Sequence, residues 1–258
     1  MRRIIYETSG RAQEYYPLGC HLYRGCTHGC TYCYNTRQGR RGEADRKSFY
    51  HAIAPEPDFI KTLEADADRL AGAGDSRRIM LSFTCDPYQP LDTELQITRK
   101  ALLVLKGRHL PVALLTKGGE RSLRDFDLLD NTDEYGITLT VGITKAPEFE
   151  PGSAPPDERM EVLRRAKEEG LRTWVSFEPV LYPAETLKFI EIVAPFTDII
   201  RVGKLNHIPP PAPVNWHDFC LGTMRLLEKL NATYYIKKDL ALYINRGAAA
   251  GIKGGPGW

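Results

Sequence analysis

The stretch Leu18-Gly19-Cys20-His21-Leu22-Tyr23-Arg24-Gly25-Cys26-Thr27-His28-Gly29-Cys30-Thr31-Tyr32-Cys33-Tyr34 joins two kinds of sequence. Residues 18–23 read as a short strand. The loop after them carries Cys26, Cys30 and Cys33 at spacings of four and three. Three thiolates so spaced meet on one centre only if the chain turns tightly between them, and Gly25 and Gly29 permit that turn. A strand that feeds a ligand-bearing loop is how a βα unit places chemistry at one end of a sheet.

Outward from this loop, strand and helix patterns alternate. Residues 55–70 read as a helix with a proline near its start. Residues 78–83 form a compact apolar run suited to a buried strand. Asp92 can cap a helix reaching Leu105, residues 112–116 read as strand, and Ser122 can cap a helix to 129. Residues 135–143 are rich in Ile, Thr, Leu and Val and read as strand. A proline-rich loop at 147–156 precedes a charged helix over 156–169. Strands at 172–177, 199–202 and 234–236 alternate with helices at 184–194 and 216–230, and the prolines at 209–213 form a stiff connector. These make about six β-then-α units, the pattern of an α/β protein with parallel strands and crossover helices. A full eight-unit barrel needs about 250 residues but also more strands than these. The expected fold is therefore a partial, open βα barrel with a Cys-rich loop after its first strand, forming one domain over 1–246. Residues 247–258 are a glycine-rich tail expected to be flexible.

Composition narrows the class. The 258 residues are 42% hydrophobic and 26% charged, which excludes collagen-like, coiled-coil and wholly disordered chains. No apolar run approaches the roughly 20 residues that span a bilayer. The opening Met1-Arg2-Arg3-Ile4-Ile5-Tyr6-Glu7 has no apolar h-region, so no secretory signal is expected and the expected compartment is cytoplasmic. Cys20, Cys26, Cys30 and Cys33 crowd together while Cys85 and Cys220 stand alone, and in a reducing compartment clustered thiols read as metal ligands. A net charge of +2 makes no global case for nucleic acid and does not exclude a local basic groove.

Iron–sulfur clusters of the four-iron type normally take four cysteines. Three leave one iron open to a substrate or cofactor, as open sites are catalytic in zinc chemistry. The alternative is structural zinc in a βα binding module, with Cys20, His21 or His28 as fourth ligand. Zinc modules usually present two separated ligand pairs, and no second pair exists here.

Cys26, Cys30, Tyr32 and Cys33 fill the Cys-x-x-x-Cys-x-aromatic-Cys motif, in which the chain resembles the radical S-adenosylmethionine superfamily. Tyr23-Arg24-Gly25-Cys26 through Tyr34 is similar to its spore photoproduct lyase, or "DNA repair photolyase", branch. Asp86-Pro87-Tyr88-Gln89-Pro90, Thr98-Arg99-Lys100, Thr116-Lys117, Arg124-Asp125 and Glu150-Pro151-Gly152 extend the likeness over residues 18–170, more weakly to 240. The resemblance implies a [4Fe–4S] cluster on Cys26, Cys30 and Cys33 with S-adenosylmethionine as second cofactor. It implies reductive cleavage of that cofactor to a 5′-deoxyadenosyl radical that abstracts hydrogen from substrate. It also implies an electron donor such as flavodoxin or ferredoxin, no membrane partner, and a nucleotide or nucleic-acid substrate in a lyase, repair or base-modification reaction. Radical modification of a peptide or small metabolite is the alternative.

The resemblance carries further to single residues. Lys117, after the strand at 112–116, matches a lysine on the cofactor carboxylate. Thr84 and Asp86 end the strand at 78–83 and are candidates for the methionine amino group or the ribose hydroxyls, or for turn formation. Thr140 and Thr144 are weaker candidates, since threonine is also a good strand former. Tyr32 takes the place of the aromatic residue beside the adenine. Cys85 stands near a strand end where the lyase uses a cysteine as hydrogen-atom donor, and a small buried cysteine is the alternative. Glu178, Lys204 and Asn206 end later strands and face a barrel mouth, where they would hold substrate or the adenosyl portion. Arg37, Arg40, Arg41, Arg46 and Lys47, near Tyr34, Phe49 and Tyr50, are either a nucleotide track or a solvated loop.

Overall fold

The computed structural model describes residues 3–37, 47–51, 53–244 and 252–253. Each of the seven strand segments read from the sequence forms a strand, and they lie side by side in chain order. After β1 (Ile5–Glu7) come β2 (Leu18–Cys20), β3 (Ile79–Leu81), β4 (Val112–Thr116) and β5 (Glu134–Thr138). They are followed by β6 (Arg172–Val180), β7 (Ile199–Lys204), β8 (Tyr234–Ile236) and β9 (Ile252–Lys253). Pairing from β2 to β8 is parallel throughout, while β1 and β9 add antiparallel edges. The order runs from β1 to β9 without closing on itself, so the barrel is partial and open.

Eight α-helices lie wholly within the described residues: α1 (Phe59–Gly72), α2 (Pro90–Leu95), α3 (Ile97–Lys106), α4 (Ala146–Phe149), α5 (Pro156–Glu168), α6 (Pro183–Val193), α7 (Trp216–Lys229) and α8 (Lys238–Ala241). Their apolar residues recur at helical spacing and face the sheet, as with the buried Phe59, Leu63, Ala67 and Leu70 of α1. Alternate strand residues point the other way. Met80, Ala113, Trp174 and Ile199 join Tyr16 in a second apolar cluster that fills the barrel's interior.

Three readings are corrected. The helix expected from Asp92 to Leu105 is two helices, because Gln96 takes a left-handed conformation with φ of 50°. Asp92 spans the break, its carboxylate accepting the Thr98 N–H at 3.0 Å. The helix expected over 122–129 is a 3-10 run, Gly119–Leu128. Strands β1 and β9 were not anticipated: each is too short to show a period, and Ile252 and Lys253 lie inside the glycine-rich stretch read as a tail. The rest of 247–258 lies outside the described residues, as do Arg40, Arg41 and Arg46 of the basic loop.

Candidate active site

A cavity of about 680 Å³ opens where the parallel strands end. Cys26, Cys30 and Cys33 line it, as do Tyr32, Thr84, Cys85, Asp86 and Lys117. Glu178, Lys204 and Asn206 also line it. Strand ends and the cysteine loop thus bring together most of the cofactor and cluster candidates; Thr140 is outside the lining but joined to it through Tyr32, and Thr144, Arg37 and Lys47 do not line the cavity.

The cysteine loop keeps its shape by contacts to three other segments. Gly25 and Gly29 take positive φ of 83° and 68°, the turns that the sequence requires. The Gln89 side chain accepts the Thr27 N–H at 2.8 Å, and the Thr31 N–H donates to the Phe149 carbonyl at 3.0 Å. Gly152 donates to the His28 carbonyl at 2.9 Å. Tyr50 reaches over to donate to the Cys30 carbonyl at 2.9 Å.

His28 sits at the centre of this clamp. Burial lowers it to about 3, so its ring is neutral. Its Nε2 lies 3.0 Å from the Arg121 guanidinium and its Nδ1 lies 3.4 Å from Asp86. A guanidinium only donates, so Nε2 accepts and the proton sits on Nδ1, facing the carboxylate. Arg121 also donates to the Tyr88 and Gly152 carbonyls, at 2.8 and 3.3 Å. Asp86 is fully engaged: besides His28 it accepts from Tyr88 N at 2.9 Å, Thr116 Oγ1 at 2.6 Å and Lys117 N at 2.7 Å. Burial alone would raise this carboxyl, but His28 and the donors outweigh it and leave it below the ordinary range. Asp86 is therefore a positioning group that joins the cysteine loop to β4.

Tyr32 is fixed in the same manner. Its hydroxyl donates to Glu150 and lies 3.1 Å from Thr140 Oγ1. Glu150 in turn pairs with Arg159 of α5, both side chains fully buried. Burial raises the Glu150 carboxyl, and Arg159 opposes that rise. The Lys117 ammonium stands 5.6 Å from the centre of the Tyr32 ring.

Thr84 lies 3.0 Å from His21 Nδ1, and the Tyr6 hydroxyl lies 2.7 Å from His21 Nε2. Burial lowers His21 to about 4, which keeps this relay neutral. Cys85 is buried with its sulfur 2.8 Å from Ser82 Oγ, and burial raises its thiol to about 11. Cys20 and Cys220 are fully buried and lie away from the cavity. The Lys204 ammonium sits 5.8 Å from the ring centres of both Trp216 and Tyr243. Sequence reasoning did not find Tyr6, Arg11, Tyr15 or Lys237 in this lining, because no local pattern marks them, and it weighed His21 only as a zinc ligand.

Among the described residues, no group of three or more His, Cys, Asp or Glu closes on a single metal ion. A lone zinc needs its ligands in one tetrahedron, whereas a four-iron cube takes one thiolate at each of several corners. Three cysteines lining one cavity suit the second arrangement. No helix among the described residues is long and apolar enough to cross a membrane.

Comparison with known proteins bears on the family and the fold. An uncharacterised protein of Methanocaldococcus jannaschii is 23% identical over 189 residues, covering 71% of this chain and 68% of its own. An uncharacterised protein of Acidianus two-tailed virus is 30% identical over 174 residues, and the match spans 62% of this chain and 54% of the viral protein. Among solved structures, a spore photoproduct lyase variant superposes with a TM-score of 0.67 at 12% identity, over 88% of this chain and 78% of that one. SuiB of Streptococcus suis bound to S-adenosylmethionine gives a TM-score of 0.63 at 11% identity, over 88% and 51%. Likenesses at such identity establish the fold. The family model of the Radical SAM superfamily matches residues 21–194, the segment that supplies the cysteine loop and the clamp around it. The chain belongs to the radical S-adenosylmethionine superfamily, as an enzyme whose cofactors are a [4Fe–4S] cluster and S-adenosylmethionine.

Proposed function

We propose that Cys26, Cys30 and Cys33 bind the cluster, and that the enzyme removes a hydrogen atom from a nucleotide or nucleic-acid substrate in a lyase-like or base-modifying reaction. The observation that carries this reading is that all three cysteines and Lys117 line a single cavity. When bound, the cofactor pair supplies a 5′-deoxyadenosyl radical. Everything else is work for the chain's own residues.

Lys117 offers an ammonium to the carboxylate of the methionine end, and its backbone N–H is anchored by Asp86. Thr84 presents its hydroxyl to the same end; His21 fixes it from behind. Tyr32, with its hydroxyl tied to Glu150, leaves its ring to lie against the adenine. Thr140 supports Tyr32 rather than touching the ligand. Cys85 keeps its hydrogen on sulfur at neutral pH and lines the cavity, which suits the donor role the resemblance implies.

The nucleotide reading draws on the branch motifs and on a neighbour's structure: spore photoproduct lyase is known complexed with a dinucleoside spore photoproduct. Superfamily members need a one-electron reductant, and a small flavodoxin or ferredoxin in the cytoplasm would serve. The deciding experiment supplies cofactor deuterated at the 5′ position to reconstituted, reduced enzyme with DNA, RNA and extract fractions, and follows the deuterium by mass spectrometry. Label in nucleotide material, or a mass change there, is expected. Label confined to peptides or small metabolites rejects the substrate class. Cys30→Ala is expected to lose both cluster iron and 5′-deoxyadenosine formation.

A further inference from the structure

The family match begins at residue 21 and ends at 194, yet Tyr6, Arg11 and Tyr15 before it and Lys204 and Lys237 after it also line the cavity. At the centre of this added wall is an ion pair. Lys237 Nζ lies 2.8 Å from Glu178 Oε2, with the lysine side chain 2% exposed. The partners come from β6 and from the end of β8, with β7 between them. Gly203 of β7 makes the bridge possible, since a Cβ there would stand 2.9 Å from Glu178 Cδ and 3.1 Å from Lys237 Cδ.

The hydrogen-bonding inventory of the pair is incomplete. Glu178 Oε2 accepts from Tyr15 and Lys237, and Oε1 accepts from Arg11 at 3.2 Å. A carboxylate has about four lone-pair sites, so one on Oε1 is left. Lys237 turns one N–H to Glu178, and its Nζ lies 3.9 Å from the centre of the Tyr15 ring. An ammonium has three donors, so one is left among the described residues.

We infer that this spare acceptor and spare donor, side by side in the cavity wall, recognise the edge of a cyclic amide or imide, as in an oxo-pyrimidine or oxo-purine base. The inference rests on the nucleotide reading of the same cavity and assigns its substrate-reading residues. A net-charged group fits poorly, because the carboxylate repels an anion and the ammonium repels a cation. A linear peptide fits poorly as well: its trans bond points N–H and C=O in opposite directions. A cyclic amide holds the two on one side. Tyr15 and Phe83, whose rings meet edge to face at 6.2 Å, supply flat apolar surface beside the pair for such a ring.

The test is binding of uridine to the reconstituted, unreduced enzyme saturated with S-adenosylmethionine, by calorimetry. N3-methyluridine lacks the ring N–H and is expected to bind roughly ten- to hundredfold more weakly, the loss of one charge-assisted hydrogen bond. Glu178→Gln and Lys237→Met are expected to weaken uridine binding by a similar factor and to narrow the gap between the two nucleosides. Equal binding of uridine and N3-methyluridine to the unaltered chain overturns the proposal, whether or not a variant folds. No uridine binding, or preferred binding of a blocked dipeptide, also overturns it. Formation of 5′-deoxyadenosine by the same preparation, once reduced, reports separately on the radical chemistry.

Discussion

Gly152 lies against His28 so closely that a methyl group on its Cα would stand 2.9 Å from the His28 Cα, and 2.4 Å from the carbonyl oxygen just before it. The Gly152 N–H donates to the His28 carbonyl across the same contact. The turn after α4 thus acts as a template for the loop that carries the three cysteines. Both partners at the contact are backbone, so a side chain there cannot be accommodated by a rotamer change.

Gly152→Ala is therefore expected to cost about 1–3 kcal/mol of stability through overpacking. It should also lower the iron taken up per chain on reconstitution. Thermal unfolding and iron analysis of the variant check both, and full iron loading would show that the loop is shaped without this contact.

Arg159→Met leaves the Glu150 carboxylate buried without its cation, since both side chains of the pair are fully enclosed. Breaking one partner of a buried pair costs about 3–5 kcal/mol. Glu150→Gln, which keeps the shape and removes the charge, is expected to cost less than Arg159→Met. Denaturant titration of the two variants gives the order directly, and the reverse order would place the burden on the carboxylate.

Lys117→Ala is expected to weaken S-adenosylmethionine binding roughly ten- to hundredfold, the effect of losing one charge-assisted contact. Calorimetry on the reconstituted, unreduced protein measures this without turnover. Unchanged affinity rejects the contact between Lys117 and the carboxylate.

His21 makes a pH prediction. Burial lowers it to about 4 in the folded chain, below the 6.5 of an unhindered imidazole. As pH falls below about 6.5 the unfolded chain takes up a proton that the folded chain refuses, so stability declines until about pH 4. His21→Gln cannot take up that proton, and should flatten the loss between neutral pH and about pH 5 by about 1–2 kcal/mol. Denaturant midpoints at a series of pH values check it, and parallel curves for parent and variant would show that His21 titrates normally.

The basic loop gives a prediction in salt. If Arg37, Arg40, Arg41 and Lys47 follow a phosphate backbone, each contact adds about −0.9 to the slope of log affinity against log salt for duplex, or about −0.7 for single strands. Replacing Arg40 and Arg41 by alanine should reduce the slope by roughly one to two units and leave cofactor cleavage intact. Identical salt curves for parent and double variant would make the loop a solvated surface.

The strands β2 to β8 were legible because a buried parallel strand is a short apolar run that needs no partner to be recognised. The cysteine loop was legible because metal chemistry demands fixed residue types at fixed spacing. Lys117, Thr84 and Glu178 followed from strand ends, since a parallel barrel gathers those ends at one mouth. Other features depended on distant partners. Asp86 was expected at a ligand or in a turn; its carboxylate makes the turn contact to Tyr88, two residues on, and also accepts from Thr116, Lys117 and His28, which spacing along the chain could not assign. The pairing of Glu178 with Lys237 spans 59 positions and depends on Gly203 of the strand between them. The break at Gln96 and the edge strands β1 and β9 were set by tertiary contacts that outweigh weak local preference. The sequence by itself determined the alternation of strands and helices, and the cysteine loop, because local periodicity and residue spacing encode them. Which side chains face the cavity, and which are spent holding the others in place, was decided only when the sheet curled and brought remote strand ends within hydrogen-bonding reach.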